Sequence, residues 1–237
     1  MRMTSVFGRL GGGRRVRVGL VVVATFMVAS PAWSADVPHS GFLPDYSQLK
    51  PAKSAAGNKL ERWLSPKLTR ENYHAMIVDD VVFYPTPEAT EQVPQQTLDD
   101  ILTYLTHSVR EVALREVPQV TEPGPGVARL RVAVTAVAVG STGMKPYEFV
   151  PAALVFSTAM RAAGQRSQDV MLSVEAIITD SVTGEPLGMV VRHGPGQQLK
   201  NAKTPLTLDQ LKARIDNWAE AAAATVDQRL KQKSAAD

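Results

Sequence analysis

Residues 170–192 read VMLSVEAIITDSVTGEPLGMVVR. Val170, Leu172, Val174, Ala176 and Ile178 recur at every second position, so they share one face of a strand over 170–179. Asp180-Ser181-Val182-Thr183-Gly184-Glu185 makes a short loop in which Gly184 supplies a positive φ, and Leu187 to Arg192 returns beside the first strand. The two strands therefore pair antiparallel, and their shared apolar face needs a cover.

Working outward, Ala128 to Val139 alternates Leu130, Val132, Val134 and Ala136 against Arg129, Arg131 and Thr135, a third strand, entered through the rigid turn Glu122-Pro123-Gly124-Pro125-Gly126. Before it, Pro94 opens an amphipathic helix to about Glu116, with Leu98, Ile101, Leu102, Leu105, Val109, Val112 and Ala113 on one stripe. Met76, Ile77, Val78, Val81, Val82, Phe83 and Tyr84 form an apolar run ended by Pro85 and Pro87, which reads as a buried strand. At the other end, Thr207-Leu208-Asp209-Gln210 is a capping box opening a helix with Leu211, Ile215, Trp218, Ala222, Val226 and Leu230 in phase. Phe149 to Ala163, with Pro151 near its start and Gly164 at its end, predicts a short helix over the sheet. The order β-α-β-(α)-β-β-α predicts a single α+β domain over residues 71–232, with a small mixed, mainly antiparallel sheet and two long amphipathic helices packed on one face.

The flanks read differently. Arg2, Arg9, Arg14, Arg15 and Arg17 lead into an apolar run from Val18 to Ala29, too short for the roughly 20 residues of a membrane span, and Ala32-Trp33-Ser34 offers a cleavage site. Residues 1–35 are thus expected to be a signal peptide cut after Ser34 or Ala35, which places the chain in the periplasm. Loss of those five arginines takes the formal net charge from +3 to −2, leaving no basic excess for nucleic acid. Residues 36–70 are an extended N-terminal segment, broken by Pro38, Pro44, Pro51 and Pro66 but carrying Phe42, Leu43, Tyr46, Leu49, Trp63 and Leu64 as apolar anchors. It either packs across its own domain or straps onto a partner. Residues 233–237 are expected to be a disordered tail.

Catalytic signals are sparse. Cysteine is absent, which removes disulfides, thiol nucleophiles and Cys-ligated metals. His39, His74, His107 and His193 show no ligand spacing, so no metal or cofactor is expected. His74 with Asp79 or Asp80 is the one conceivable acid–base group, the basis of an alternative reading as a hydrolase. His107 and Glu111 fit a surface i, i+4 pair, and Asp99-Asp100 fits a helix start favoured by the dipole. Gly140-Ser141-Thr142-Gly143 lacks a nucleophile elbow, and Gly194-Pro195-Gly196 reads as punctuation after a strand. The composition that asks for a partner lies at Phe149, Val150, Leu154, Val155, Phe156 and Met160.

Three segments together resemble the bacterial family known as domain of unknown function 3313. They are Ser40-Gly41-Phe42-Leu43-x-Asp45-Tyr46-Ser47-x-Leu49, Glu122-Pro123-Gly124-Pro125-Gly126-Val127, and Asp180-Ser181-x-Thr183-Gly184-Glu185. The resemblance implies an envelope location and carries no catalytic residue or cofactor. Many members carry lipoprotein-type signals, whereas the stretch before Ser40 has no cysteine to acylate. The expectation is therefore a periplasmic, non-enzymatic accessory module without transmembrane helix or lipid anchor. Its partner would be an envelope protein or other envelope component, met through Phe42, Leu43, Tyr46 and Leu49 and through Phe149, Leu154 and Phe156. A carrier of a small apolar ligand, seated under the 149–160 helix, is the other binding alternative.

Overall fold

The structure, a computed structural model, describes residues 39–54, 57–141 and 167–231. The expected leader, the expected helix at 149–163 with Phe149, Leu154 and Phe156, and the expected tail lie outside the described residues. Among the described residues, seven strands and two helices follow in the order β1 (Lys50–Lys53), β2 (Lys59–Leu64), β3 (Ala75–Val78), β4 (Val82–Phe83), α1 (Gln95–Glu116), β5 (Val127–Ser141), β6 (Gln168–Asp180), β7 (Pro186–Pro195) and α2 (Asp209–Lys231). They build one α+β sheet-and-helix layer pair. The sheet runs β1-β2-β7-β6-β5-β3, with β4 also on β5; β3 and β4 lie parallel to β5 and every other pairing is antiparallel.

The hairpin that opened the sequence reading is its centre. Gly184 takes φ 73°, and the Asp180 carboxylate accepts the main-chain N–H groups of Val182 and Thr183 at 2.9 and 2.8 Å, which shapes the loop. Val170, Leu172 and Val174 of β6 pack with Val132, Val134 and Val137 of β5 against Leu98, Ile101 and Leu105 of α1 and Leu211, Ile215 and Trp218 of α2. Both helices thus cover the same face, tied to each other by Tyr104 O–H to Asp216 and Arg115 to Glu220, each 2.7 Å.

Two local readings change. The apolar run at 76–84 is two short strands, because Asp79 and Asp80 interrupt it: each carboxylate leaves the sheet for an arginine, Arg129 at 2.9 Å and Arg110 at 2.7 Å. Asp99 and Asp100 lie beyond the first turn, since α1 begins at Gln95; they accept from Gln95 and Gln96 at 2.8 Å instead of meeting free N–H groups. The capping box is present in part, with Gln210 Oε1 accepting the Thr207 N–H at 2.8 Å. In the N-terminal segment, β2 pairs with β7 and β1 forms the outer edge, where Lys50, Pro51 and Lys53 discourage further pairing.

Candidate functional site

The residues of β6 and β7 that point at the helices do not fill the space beneath them. Ala176 and Gly188 in the sheet face Ala113, Ala222 and Ala223 in the helices, and these short side chains leave a cavity of about 180 Å³. Leu105, Val109, Leu130, Val132 and Ile215 continue its walls. Arg62 of β2 and Arg192 of β7 border this apolar lining from neighbouring strands, chiefly with their carbon stems, and carry their charges at its margin. Arg192 is 8% exposed, and its Nη1 donates to the Trp218 main-chain oxygen at 3.0 Å. Burial, with the neighbouring charge of Arg62, pulls its guanidinium down to about 10, so it stays charged at neutral pH. Arg62 Nη1 donates to Thr225 Oγ1 at 3.4 Å. Glu116 at the end of α1 also lines the cavity, yet among the described residues no ion pair joins a carboxylate to either arginine.

Gly194 explains how α2 comes so near: a Cβ there would lie 2.8 Å from the Trp218 ring. The Gly194-Pro195 segment is thus part of β7 and a seat for the Trp218 indole. The arginines escaped the sequence reading, although a signal existed. Arg192 continues the phase of Gly188 and Val190 and lies opposite Val174, which places it on the helix-covered face.

On the other face, residues 39–49 form a docked strap. Leu43, 3% exposed, packs with Ile177, Met189 and Val191, joined by Phe42, Tyr46, Leu49 and Trp63. Glu175, 1% exposed in the middle of this face, accepts the Ser40 N–H at 3.0 Å and the Tyr46 O–H at 2.6 Å. The Tyr46 oxygen in turn accepts the N–H groups of Gly41 and Leu43 at 2.9 and 3.1 Å. His39 stacks on the Tyr46 ring at 4.0 Å and pairs with Glu61 at 3.0 Å. Beside Glu175 on β6, Ser173 Oγ lies 2.7 Å from His193 Nδ1. Burial holds that imidazole below the ordinary histidine value, against the opposite pull of Glu61 and Glu175. Of the expected partner-binding residues, the strap group Phe42, Leu43, Tyr46 and Leu49 is therefore brought together, on the chain's own sheet.

His74 stands apart from Asp79 and Asp80. It precedes β3 and they follow it, with four strand residues of roughly 3.3 Å each in between. Both carboxylates are held by arginines, whereas the imidazole lies across Gly126, where a Cβ would fall 2.2 Å from its Cε1. Gly126, at φ 73°, is thus required both for its turn and for this ring. An open crevice beside it includes Tyr73, Asp180, Glu185 and Lys67. Tyr73 donates to Asp180 at 3.0 Å. Burial and that bond push the Tyr73 hydroxyl to about 12, and the Thr183 N–H holds Asp180 low. His107 and Glu111 form the expected surface pair, at 3.8 Å. Among the described residues no group of three or more histidine, aspartate or glutamate side chains converges as a metal site.

The fold and site define a two-layer α+β protein with an apolar cavity between its layers and a strap across its back. The chain belongs to the family described as "Protein of unknown function (DUF3313)", which matches residues 38–222. It is 36% identical over 181 residues to the "Uncharacterized lipoprotein YdcL" of Escherichia coli K12, covering 76% of this chain and 82% of that protein. Solved structures with a related outline include the PelC dodecamer from Paraburkholderia phytofirmans, at 12% identity and TM-score 0.33 over 73% of this chain and 98% of that one. The hypothetical protein CT253 from Chlamydia trachomatis aligns at 6% identity and TM-score 0.40 over 68% and 99%. The family assignment rests on the sequence matches.

Proposed function

We propose that this chain is an exported cell-envelope protein that works by binding, and that its ligand site is the cavity between α1, α2 and the sheet. The envelope location draws on the leader-like N-terminus and on the relative described as a lipoprotein. One observation carries the binding reading: an apolar space of about 180 Å³ bounded by small residues contributed from both layers. A dry apolar cavity of roughly 150 Å³ already takes up benzene. The cavity lies under α1 and α2; the place the carrier reading had named, under residues 149–160, falls outside the described residues.

Saturating naphthalene should raise the melting temperature, each kcal/mol of binding being worth about 2–4 °C in a domain of this size. Ala222→Leu, which fills the space, should abolish the rise. A wild-type protein unmoved by naphthalene and by alkyl compounds of similar size would overturn the ligand-site reading.

A second reading places an envelope partner on the strap, favoured by the aromatic group that docking leaves accessible: half-buried Phe42 meets exposed Tyr84 at 5.7 Å, with Arg131 over the Phe42 ring. Crosslinking from Phe42 in cells should capture one reproducible envelope component under this reading, and none without it.

A further inference from the structure

We infer that the cavity takes a single-chain amphiphile with an anionic head, a fatty-acid carboxylate in its simplest form, held at that head by Arg192 and Arg62. This rests on the cavity being a ligand site and adds the chemistry of the ligand.

A buried guanidinium normally stands against a carboxylate, because removing its charge from water is expensive unless the charge is compensated. Arg192 has one main-chain oxygen at 3.0 Å and, as its nearest charged neighbour in effect, another cation. Two arginines brought together in an apolar lining repel each other, and an anion between them relieves both the repulsion and the desolvation. The guanidinium fork suits a carboxylate in particular, since it donates two parallel bonds to two oxygens. A neutral hydrocarbon would leave Arg192 unexplained, and a cationic ligand would add to the repulsion. The remaining lining fixes the tail. Leu105, Val109, Ala176 and Ile215 offer hydrocarbon contact only, and about 180 Å³ holds a short alkyl stretch, not a two-chain lipid. Among the described residues Glu116 is the one acid on the lining, and it comes from α1, whereas both arginines come from the sheet.

The test is isothermal titration of the full chain with octanoate and with 1-octanol, matched tails that differ in the head. Octanoate should bind about tenfold to a hundredfold more tightly, the effect of charge-assisted bonds in a dry site. Arg192→Met, which keeps the length of the stem, should bring octanoate down to the octanol level. Arg62→Gln, at the less buried position, should weaken octanoate severalfold and leave octanol unchanged, which keeps the inference testable if the Arg192 variant does not fold. Equal affinity for the two compounds in the wild type, or an octanoate affinity indifferent to both substitutions, overturns the anionic-head inference while leaving the cavity as an apolar site. Failure of both compounds to bind, with no response to naphthalene, removes the ligand site itself.

Discussion

On one face of the sheet, α1 and α2 lay continuous apolar stripes over Val132, Val134, Leu172 and Val174, while on the other a short strap closes over Ile177, Met189 and Val191. The helix side is the more hydrophobic, yet it keeps a cavity and two arginines that have no carboxylate partner among the described residues. The strap side buries a carboxylate, and there the polar groups answer one another: Glu175 has Ser40 and Tyr46, Tyr46 has Gly41 and Leu43, and Ser173 has His193. A satisfied polar network specifies one arrangement, whereas unfilled apolar space with unpaired cations is left for something else to complete. On the proposed reading, the contrast sets structure on the strap side and binding in the helix layer.

The sharpest attempt to break that contrast is truncation on the two faces. Leu172→Ala, at a wholly buried helix-face position, should cost about 2–5 kcal/mol and lower the global urea midpoint. Leu43→Ala should release the strap while the two helices stay packed, so hydrogen exchange should quicken around residues 40–49 and not in α1 or α2. Simultaneous loss of protection in both layers would show that the strap is integral to the global core. A smaller effect is expected of Tyr46→Phe. It removes one donor from buried Glu175 and one acceptor from two N–H groups, for about 1–3 kcal/mol by chemical denaturation.

The pH dependence sharpens the comparison from the strap side. Because burial lowers the His193 pKa from its ordinary 6.5, the unfolded chain takes up the proton more readily than the folded one. Its contribution is therefore fully present above pH 6.5 and is lost as the pH falls through the folded value. Denaturation midpoints at pH 8 and 5.5 should differ in that sense, with Glu61, Glu175 and His39 facing the same imidazole. His193→Gln should flatten the difference. An unaltered pH profile in that variant would remove His193 as its source.

The smallest effect belongs to the surface. His107→Ala, which breaks an exposed i, i+4 pair, should change stability by no more than about 0.5 kcal/mol.

How much of this was legible depends on where each signal lies along the chain. The hairpin, β5, both helices and the face they share follow from periodicities of two and 3.6 within single segments, and all were readable. β1 and β2 were not, because a four-residue strand carrying Pro51 and two lysines has no alternation to detect, and it becomes a strand only by pairing with β2. The split between β3 and β4 depends on Arg129 and Arg110, fifty and thirty residues from Asp79 and Asp80. The strap anchors stood out as apolar residues among prolines, but their target was a face whose pattern of Met171, Ser173, Glu175 and Ile177 reads as mixed. The cavity was hidden for the same reason. It arises from small residues in four elements that meet only in the fold, and Arg192 entered the hairpin reading only as its last residue.

Tryptophan quenching measures the central contrast directly, since Trp218 lines the cavity and Trp63 belongs to the strap-side cluster. In variants that retain Trp218 alone or Trp63 alone of the three tryptophans, titration with 8-bromooctanoate should quench Trp218 to saturation and leave Trp63 unchanged. Quenching of Trp63 with Trp218 untouched would move the binding face to the strap and contradict the account.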